Sequence, residues 1–191
     1  NDMLNALGRP PVALETARGW IGNGAQRLVE RALTQDFDGE APAHLETAYP
    51  LFQKCYQANL HRDSVLYAGA VKTLAQCQAA GRRVGCVTNK PAAFTLPLLK
   101  AMGLSRYLDP IVSGDDLPKK KPDPLPLEHV AGQWGLAPAE CLLVGDSVSD
   151  FRAARACGMP VVLVSYGYSQ GLDLFELGPD AVIDSLAKVL N

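Results

Sequence analysis

The stretch Leu142–Asp150, with the sequence LLVGDSVSD, joins an apolar run to two carboxylates four residues apart, and an Ala-rich helical pattern follows it. The apolar run predicts a buried strand, and ligands of open α/β sheets bind beyond the carboxyl ends of the strands. Asp146 and Asp150 are therefore predicted at a strand end, where carboxylate oxygens suit Mg²⁺. An N-cap Asp with a first-turn Asp on the helix dipole shows the same spacing, so both interpretations stay open at this point.

The surrounding sequence repeats this alternation of strand and helix. Strands are predicted at 83–88, 110–113, 141–145, 161–166 and 181–183. Helices are predicted between them, and four of these end at a glycine, namely Gly81, Gly103, Gly135 and Gly158. Such alternation indicates a doubly wound α/β fold with a parallel sheet over about residues 67–191.

The first third of the chain carries no strand signal. Apolar residues recur at helical spacing from Thr16 to Leu33 and again from Ala43 to about Leu60. We therefore expect a small α-helical unit over residues 1–66, separate from the α/β core.

Composition excludes several functional classes. The 191 residues are 48% hydrophobic and 20% charged, which is typical of a folded globular protein. A formal charge of −2 gives no overall basic field, so we expect neither nucleic acid nor an anionic membrane surface as a partner. Glycine and proline interrupt the longest uncharged stretch, 156–172, so it is not a membrane span. Five widely spaced cysteines without a Cys-x-x-Cys pair fit a reducing cytoplasm.

Two further polar segments lie beside predicted strands. Thr88 and Asn89 follow the first core strand, where a hydroxyl and backbone amides can hold a phosphate oxygen; alternatively, they only cap the next helix. Lys121 ends a run of three lysines, usually a solvated surface, but Pro122 and Pro124 stiffen its backbone and favour a phosphate counter-ion.

These residues, in this order, resemble the second, third and fourth motifs of phosphatases of the haloacid dehalogenase superfamily. Other segments are similar to the bacterial phosphoglycolate phosphatases within it, namely Arg18–Ala25 (RGWIGNGA), Thr88–Pro91 (TNKP), Lys120–Pro124 (KKPDP) and Tyr166–Tyr168 (YGY). The resemblance covers nearly the whole chain. It implies a parallel α/β core of the haloacid dehalogenase type with a small α-helical cap inserted after the first core strand.

The implied activity is Mg²⁺-dependent hydrolysis of a small phosphorylated metabolite, 2-phosphoglycolate, through an aspartyl-phosphate intermediate. The resemblance implies that Thr88, with Asn89 beside it, binds the phosphoryl group and that Lys121 neutralises its charge. It assigns Asp146 to Mg²⁺, with Asp150 ligating or orienting the metal shell. Catalysis would then rest on positioning and charge stabilisation.

The resemblance also points to the helical unit. Arg18, Gly22 and Gly24 are implied to contact the substrate, because an arginine reaches a small carboxylate and glycine permits close backbone approach. A surface arginine beside a helix start is the alternative.

The nucleophile motif of the family, Asp-x-Asp-Gly-Thr after an apolar strand, should precede the cap. The nearest match, 36–40 (DFDGE), follows a helical period and is followed by Pro42, so we interpret it as a loop between helices. The 191 residues are therefore predicted to lack the nucleophile, the general acid and base, one metal carboxylate and the first strand of the core, and to have no phosphatase activity alone. Another sugar-phosphate phosphatase of the superfamily and a non-catalytic binding domain remain the alternatives.

Overall fold

A computed structural model of the chain describes residues 1–21, 23–39, 43–169 and 171–190. The chain divides into two compact units, Asn1–Ser64 and Val65–Asn191. The helices of the first unit are α1 (Asp2–Ala6), α2 (Leu14–Gly19), α3 (Ala25–Thr34) and α4 (Leu45–Ala58). Those of the second are α5 (Ala70–Ala79), α6 (Ala92–Ala101), α7 (Leu125–Trp134) and α8 (Val148–Cys157). Its strands are β1 (Cys86–Val87), β2 (Ile111–Val112), β3 (Leu143–Gly145), β4 (Val161–Val164) and β5 (Ala181–Ile183).

The described helices of the first unit include α3 and α4, which pack around a small apolar core with α1. The prediction of one continuous helical stretch from Thr16 to Leu33 is wrong, because α2 ends at Gly19 and α3 begins at Ala25. Gly24 lies between them with φ of 93°, a left-handed conformation that glycine adopts without steric cost. Apolar periodicity continues across this break, so it does not reveal it.

The second unit confirms the α/β prediction, since each strand pair is parallel. The strands form two sheets rather than one, a two-stranded sheet of β1 and β2 and a three-stranded sheet in the order β3-β4-β5. Helix α8 packs on β3 and β4 and contacts α7. Their apolar side chains form the main core, in which Ala153, Val161 and Leu163 are completely buried. This packing fixes the end of β3 against the start of α8.

The glycines predicted to end helices behave as expected. Gly81, Gly103, Gly135 and Gly158 have φ between 68° and 72°, which ends each helix in a left-handed residue. All five cysteines are free thiols. Among the helices of the described residues, none is long and apolar enough to span a bilayer.

Candidate active site

The turn from β3 into α8 is built by reciprocal hydrogen bonds. Ser147 is the N-cap of α8, and its Oγ accepts from the amide of Asp150 at 3.2 Å. Asp150 Oδ2 accepts in return from the amides of Asp146 and Ser147, both at 3.1 Å, and from Ser147 Oγ at 2.7 Å. The N-cap is thus Ser147, so the interpretation of Asp146 as the cap is wrong. The Ser-x-x-Asp spacing of a capping box was the sequence signal for it.

Lys121 reaches this turn from the loop before α7. Its Nζ lies 2.6 Å from Asp150 Oδ1 and donates to the carbonyl oxygen of Val87 at 2.5 Å. Both charged side chains are buried, with 10% of Lys121 and 6% of Asp150 exposed. Because Val87 ends β1 and precedes Thr88, a single ammonium connects the carboxyl end of β1 with the start of α8. Lys119, in the same run, forms an exposed pair with Asp123 instead.

The two carboxylates differ in their electrostatics. Burial by itself raises the pKa of Asp150, but the Lys121 ammonium and the donors around Oδ2 outweigh burial and hold the pKa below its usual value. The pKa of Asp146 is raised, first by burial and then by the nearby negative charge of Asp150, against a hydrogen bond from the Tyr168 amide. A cation beside Asp146 would relieve this destabilisation of its charged form.

Two close backbone approaches shape the surroundings of the carboxylates. A Cβ on Gly167 would lie within 2.7 Å of three Asp146 side-chain atoms, and a Cβ on Gly145 within 2.9 Å of three Asp150 side-chain atoms. Asp146 Oδ2 accepts from the amide of Tyr168 at 3.0 Å, directly after Gly167. Glycine is therefore required at both positions, and neither was among the candidate site residues.

The turn after β1 carries Thr88 and Asn89. Thr88 Oγ1 accepts from the amide of Lys90 at 3.1 Å, and Asn89 Nδ2 donates to the carbonyl oxygen of Lys121 at 2.8 Å. Neither side chain caps α6, because the first amide of that helix, at Ala92, donates to Asp115 Oδ1. The helix-cap interpretation is therefore wrong, and Asn89 instead connects this turn to the lysine loop.

Two buried polar atoms near this turn have no partner among the described residues, Asn89 Oδ1 and Ser113 Oγ. Ser113 follows β2 and precedes Gly114, where a Cβ would clash with the carbonyl oxygen of Asn89. An unpaired buried hydroxyl is costly, so it marks a place where a ligand atom would add stability. Sequence reasoning missed Ser113 because its position after a strand end is its only signal.

The structure thus brings Thr88, Asn89, Lys121 and the aspartates together in the second unit. Arg18 lies in the first unit, where its side chain is 60% exposed and pairs with Glu15 at 3.3 Å. Gly24 is the N-cap of α3, and Gly22 lies outside the described residues.

The buried arginine of this region is Arg31, which sequence reasoning missed. Its Nη1 donates to the carbonyl oxygen of Trp20 at 2.7 Å and to Asn23 Oδ1 at 2.9 Å, while its Nε donates to the carbonyl oxygen of Phe37 at 2.8 Å. Arg31 therefore connects α3 to Trp20 and Asn23, two residues that lie between α2 and α3.

Comparisons with known proteins agree on one family. The sequence profile of the haloacid dehalogenase-like hydrolases matches residues 1–158. A phosphoglycolate phosphatase of Nitrosospira multiformis is 48% identical over 187 residues, which are 97% of this chain and 82% of the relative. One of Nitrosococcus oceani is 45% identical over 190 residues, 99% of this chain and 84% of the relative. A solved structure described as a predicted phosphoglycolate phosphatase from Haemophilus somnus has a TM-score of 0.91 and 33% identity, covering 100% of this chain and 86% of its own.

Proposed function

Because the chain belongs to the haloacid dehalogenase-like hydrolases, we propose that it serves the Mg²⁺-dependent hydrolysis of a phosphate monoester, with 2-phosphoglycolate as the substrate. The names of the two bacterial relatives support this substrate. One observation carries the proposal: Lys121 Nζ joins the carbonyl oxygen before Thr88 to the carboxylate of Asp150. A hydroxyl, an ammonium and two carboxylates thus lie at neighbouring strand ends, where α/β folds bind ligands.

The donor set fits Mg²⁺ at Asp146. Oδ2 of Asp146 accepts from one amide, while Oδ1 accepts no hydrogen bond within the described part of the chain. Both oxygens of Asp150 are occupied, Oδ1 by Lys121 and Oδ2 by three donors. Asp146 would therefore hold the metal, and Asp150 would orient the turn that carries Asp146. Mg²⁺ is commonly held by one or two carboxylates together with phosphate oxygens and water. Among the described residues no cluster of three metal-ligating side chains forms.

The remaining residues supply binding and charge stabilisation. The Thr88 hydroxyl already accepts from Lys90, so its own proton is directed to another acceptor, such as a phosphoryl oxygen. Lys121 places one fixed positive charge beside that oxygen, and the hydrogen bond from Asn89 holds the loop of Lys121 in place. Bound Mg²⁺ would supply further positive charge to the transferring group. Fixed charges of this kind stabilise the phosphoryl-transfer transition state.

Turnover also needs a carboxylate nucleophile. Asp36 and Asp38 lie in the first unit, in the segment after α3 and not after a strand, and both are exposed. Asp146 and Asp150 are committed to the metal and to the turn. We therefore propose that these 191 residues bind the substrate and Mg²⁺ but do not hydrolyse the substrate by themselves. Mg²⁺-dependent phosphate release by a mass-verified 191-residue chain would overturn this.

In the first unit, we propose that Arg18, Gly22 and Gly24 recognise the substrate carboxylate. Two observations near Gly24 support this: its positive φ, and the hydrogen bonds by which Arg31 holds Trp20 and Asn23. If Arg18→Ala left the preference for 2-phosphoglycolate over phosphate esters without a carboxylate unchanged, this assignment would be wrong.

Ligand binding to the 191-residue chain tests the proposal directly. Titration with 2-phosphoglycolate and Mg²⁺, followed by amide shifts in two-dimensional NMR, should move Thr88, Asn89 and Asp146. Thr88→Val and Lys121→Met should each weaken binding about tenfold, because each removes a hydrogen bond to a charged group. Lys119→Met is the matched control from the same loop and should bind like the parent.

The same titration distinguishes the alternatives. A sugar phosphate that binds more tightly than 2-phosphoglycolate at these residues would support another phosphatase of the family. If no phosphate ester moved these amides, the chain would be a binding domain of another kind.

A further inference from the structure

A cavity of about 490 Å³ opens at the amino ends of β1 and β2. Arg82, Arg83 and Arg106 line it, and we call it the arginine cavity. Thr88 follows the carboxyl end of β1, so the arginine cavity lies at the opposite edge of this two-stranded sheet. Its volume is within the range of small-molecule sites.

The charge of the arginine cavity is unbalanced. Asp109 is the single acidic residue among those that line it, against three guanidinium groups. In the described part of the chain, none of these three arginines forms an ion pair with a carboxylate. Three like charges at one cavity repel each other, and a bound anion would remove that repulsion.

Two of the arginines are held in place by neutral groups. Arg83 Nη1 donates to the carbonyl oxygen of Trp134 at 2.7 Å, and Trp134 Nε1 donates to the carbonyl oxygen of Asp109 at 3.2 Å. Arg106 Nη2 donates to the hydroxyl of Tyr107 at 2.8 Å, with its guanidinium carbon 4.7 Å from the ring centre. Since these bonds use one nitrogen of each guanidinium, other N–H donors stay available in a fixed orientation, which lowers the entropic cost of binding.

The third arginine has a fixed backbone and an available side chain. Arg82 follows Gly81, whose φ is 68°, and its amide donates to the carbonyl oxygen of Cys77 at 2.9 Å. Within the described residues its guanidinium has neither a hydrogen-bond nor an ion-pair partner. The backbone of Arg82 is therefore fixed at the rim of the arginine cavity, and its guanidinium is available to bind a ligand.

We propose that the arginine cavity binds a compact oxyanion with two or more negative charges, such as a diphosphate or a polycarboxylate. Guanidinium forks bind phosphate and carboxylate oxygens through paired N–H donors, and three forks match a ligand with several oxyanion groups. Such a ligand would join the loop after α5 to the segment before β2. Binding here does not depend on the phosphatase chemistry at Thr88 and Lys121.

The test is a titration of the 191-residue chain with inorganic pyrophosphate and, separately, with citrate, read by amide shifts. At about 0.15 M ionic strength, interactions beyond about 8 Å are screened, so general attraction is suppressed. We expect saturable shifts at Arg82, Arg83 and Tyr107. A variant with Arg82→Gln and Arg106→Gln should weaken binding at least about tenfold, since each removed side chain donates charged hydrogen bonds.

Two control variants distinguish binding in the arginine cavity from general charge attraction and from binding at the candidate phosphate site beside Thr88. Arg62→Gln with Lys72→Gln removes the same charge from exposed positions outside the cavity and should leave affinity within about twofold of the parent. Thr88→Val, which removes the hydroxyl of the candidate phosphate site but no buried charge, should leave the shifts at Arg82 and Tyr107 intact. The proposal is overturned if neither anion shifts these amides, if both double variants weaken binding equally, or if Thr88→Val abolishes the shifts. A response to one anion alone supports it and identifies the ligand as a diphosphate or a polycarboxylate.

Discussion

Replacing Lys121 with methionine should strongly destabilise the α/β unit. Methionine keeps most of the side-chain volume but removes the ammonium, so Asp150 Oδ1 and the Val87 carbonyl oxygen both lose their donor. Breaking a buried ion pair by removing one partner costs about 3–5 kcal/mol. Three donors still stabilise Asp150 Oδ2, which places the expected cost at the lower end, about 3 kcal/mol.

Urea unfolding followed by tryptophan fluorescence measures this cost. Trp134 lies in the α/β unit and Trp20 in the helical unit, so a Trp20→Phe background reports the α/β unit alone. Lys119→Met is the matched control, because Lys119 forms an exposed pair with Asp123 and its removal should leave the midpoint unchanged. If Lys121→Met shifted the unfolding free energy no more than Lys119→Met does, the buried pair would not stabilise the fold.

The pH dependence gives an independent check. The folded pKa of Asp150 is lowered, so its pairing stabilises the fold above the unfolded pKa of about 3.9, and this contribution is lost as pH falls through the folded value. In Lys121→Met burial dominates, and the pKa of Asp150 should rise above its usual value. Asp150 then accepts a proton on mild acidification, so the difference in stability between the parent and the variant should shrink from about pH 7 to about pH 4. A difference that stayed constant over this range would contradict the assignment.

Three further substitutions test other parts of the structure. Gly167→Ala places a Cβ against the carboxylate of Asp146 and should weaken Mg²⁺ binding by about tenfold or more in calorimetry, whereas Gly132→Ala, in open space, should not. Leu163→Ala in β4 removes a completely buried side chain and should cost about 2–5 kcal/mol in urea unfolding. Arg31→Met removes the three hydrogen bonds that Arg31 donates in the helical unit and should cost about 3 kcal/mol, measured through the tryptophan fluorescence of that unit.

The sequence predicted those parts of the fold that depend on local chemistry. Apolar runs located each strand to within a few residues, and Gly81, Gly103, Gly135 and Gly158 ended helices because a left-handed residue is locally required there. Apolar periodicity did not show the break between α2 and α3, since the apolar period on both sides is in phase. The two-sheet arrangement was also missed, because strand pairing is a long-range property that periodicity does not encode.

The sequence identified candidate site residues from their residue types, but it did not identify the residues with which they form hydrogen bonds. Thr88 and Asn89 follow a strand, as expected, yet Asn89 bonds the carbonyl oxygen of Lys121, a residue 32 positions away. Ser113 carries no signal of its own in a single sequence, and Gly167 was noted only as part of the Tyr166–Tyr168 segment. The buried, unpaired hydroxyl of Ser113 and the close approach of Gly167 to Asp146 are produced by folding alone.

The three consecutive lysines show what distinguishes a lysine on the protein surface from one in the candidate active site. Lys119 and Lys121 are chemically identical and two residues apart, and the sequence separates them only by the prolines that flank the second. In the structure 66% of the Lys119 side chain is exposed but only 10% of Lys121, so water solvates the first ammonium and protein atoms must compensate the second. The compensating carboxylate is Asp150, whose position is set by Ser147 at the start of α8. Because a phosphate group would approach an ammonium already neutralised by Asp150, it must gain its remaining stabilisation from Thr88 and from a cation at Asp146. The affinity for phosphate esters is therefore expected to depend on Mg²⁺, and equal affinity with and without Mg²⁺ would show that Lys121 alone suffices.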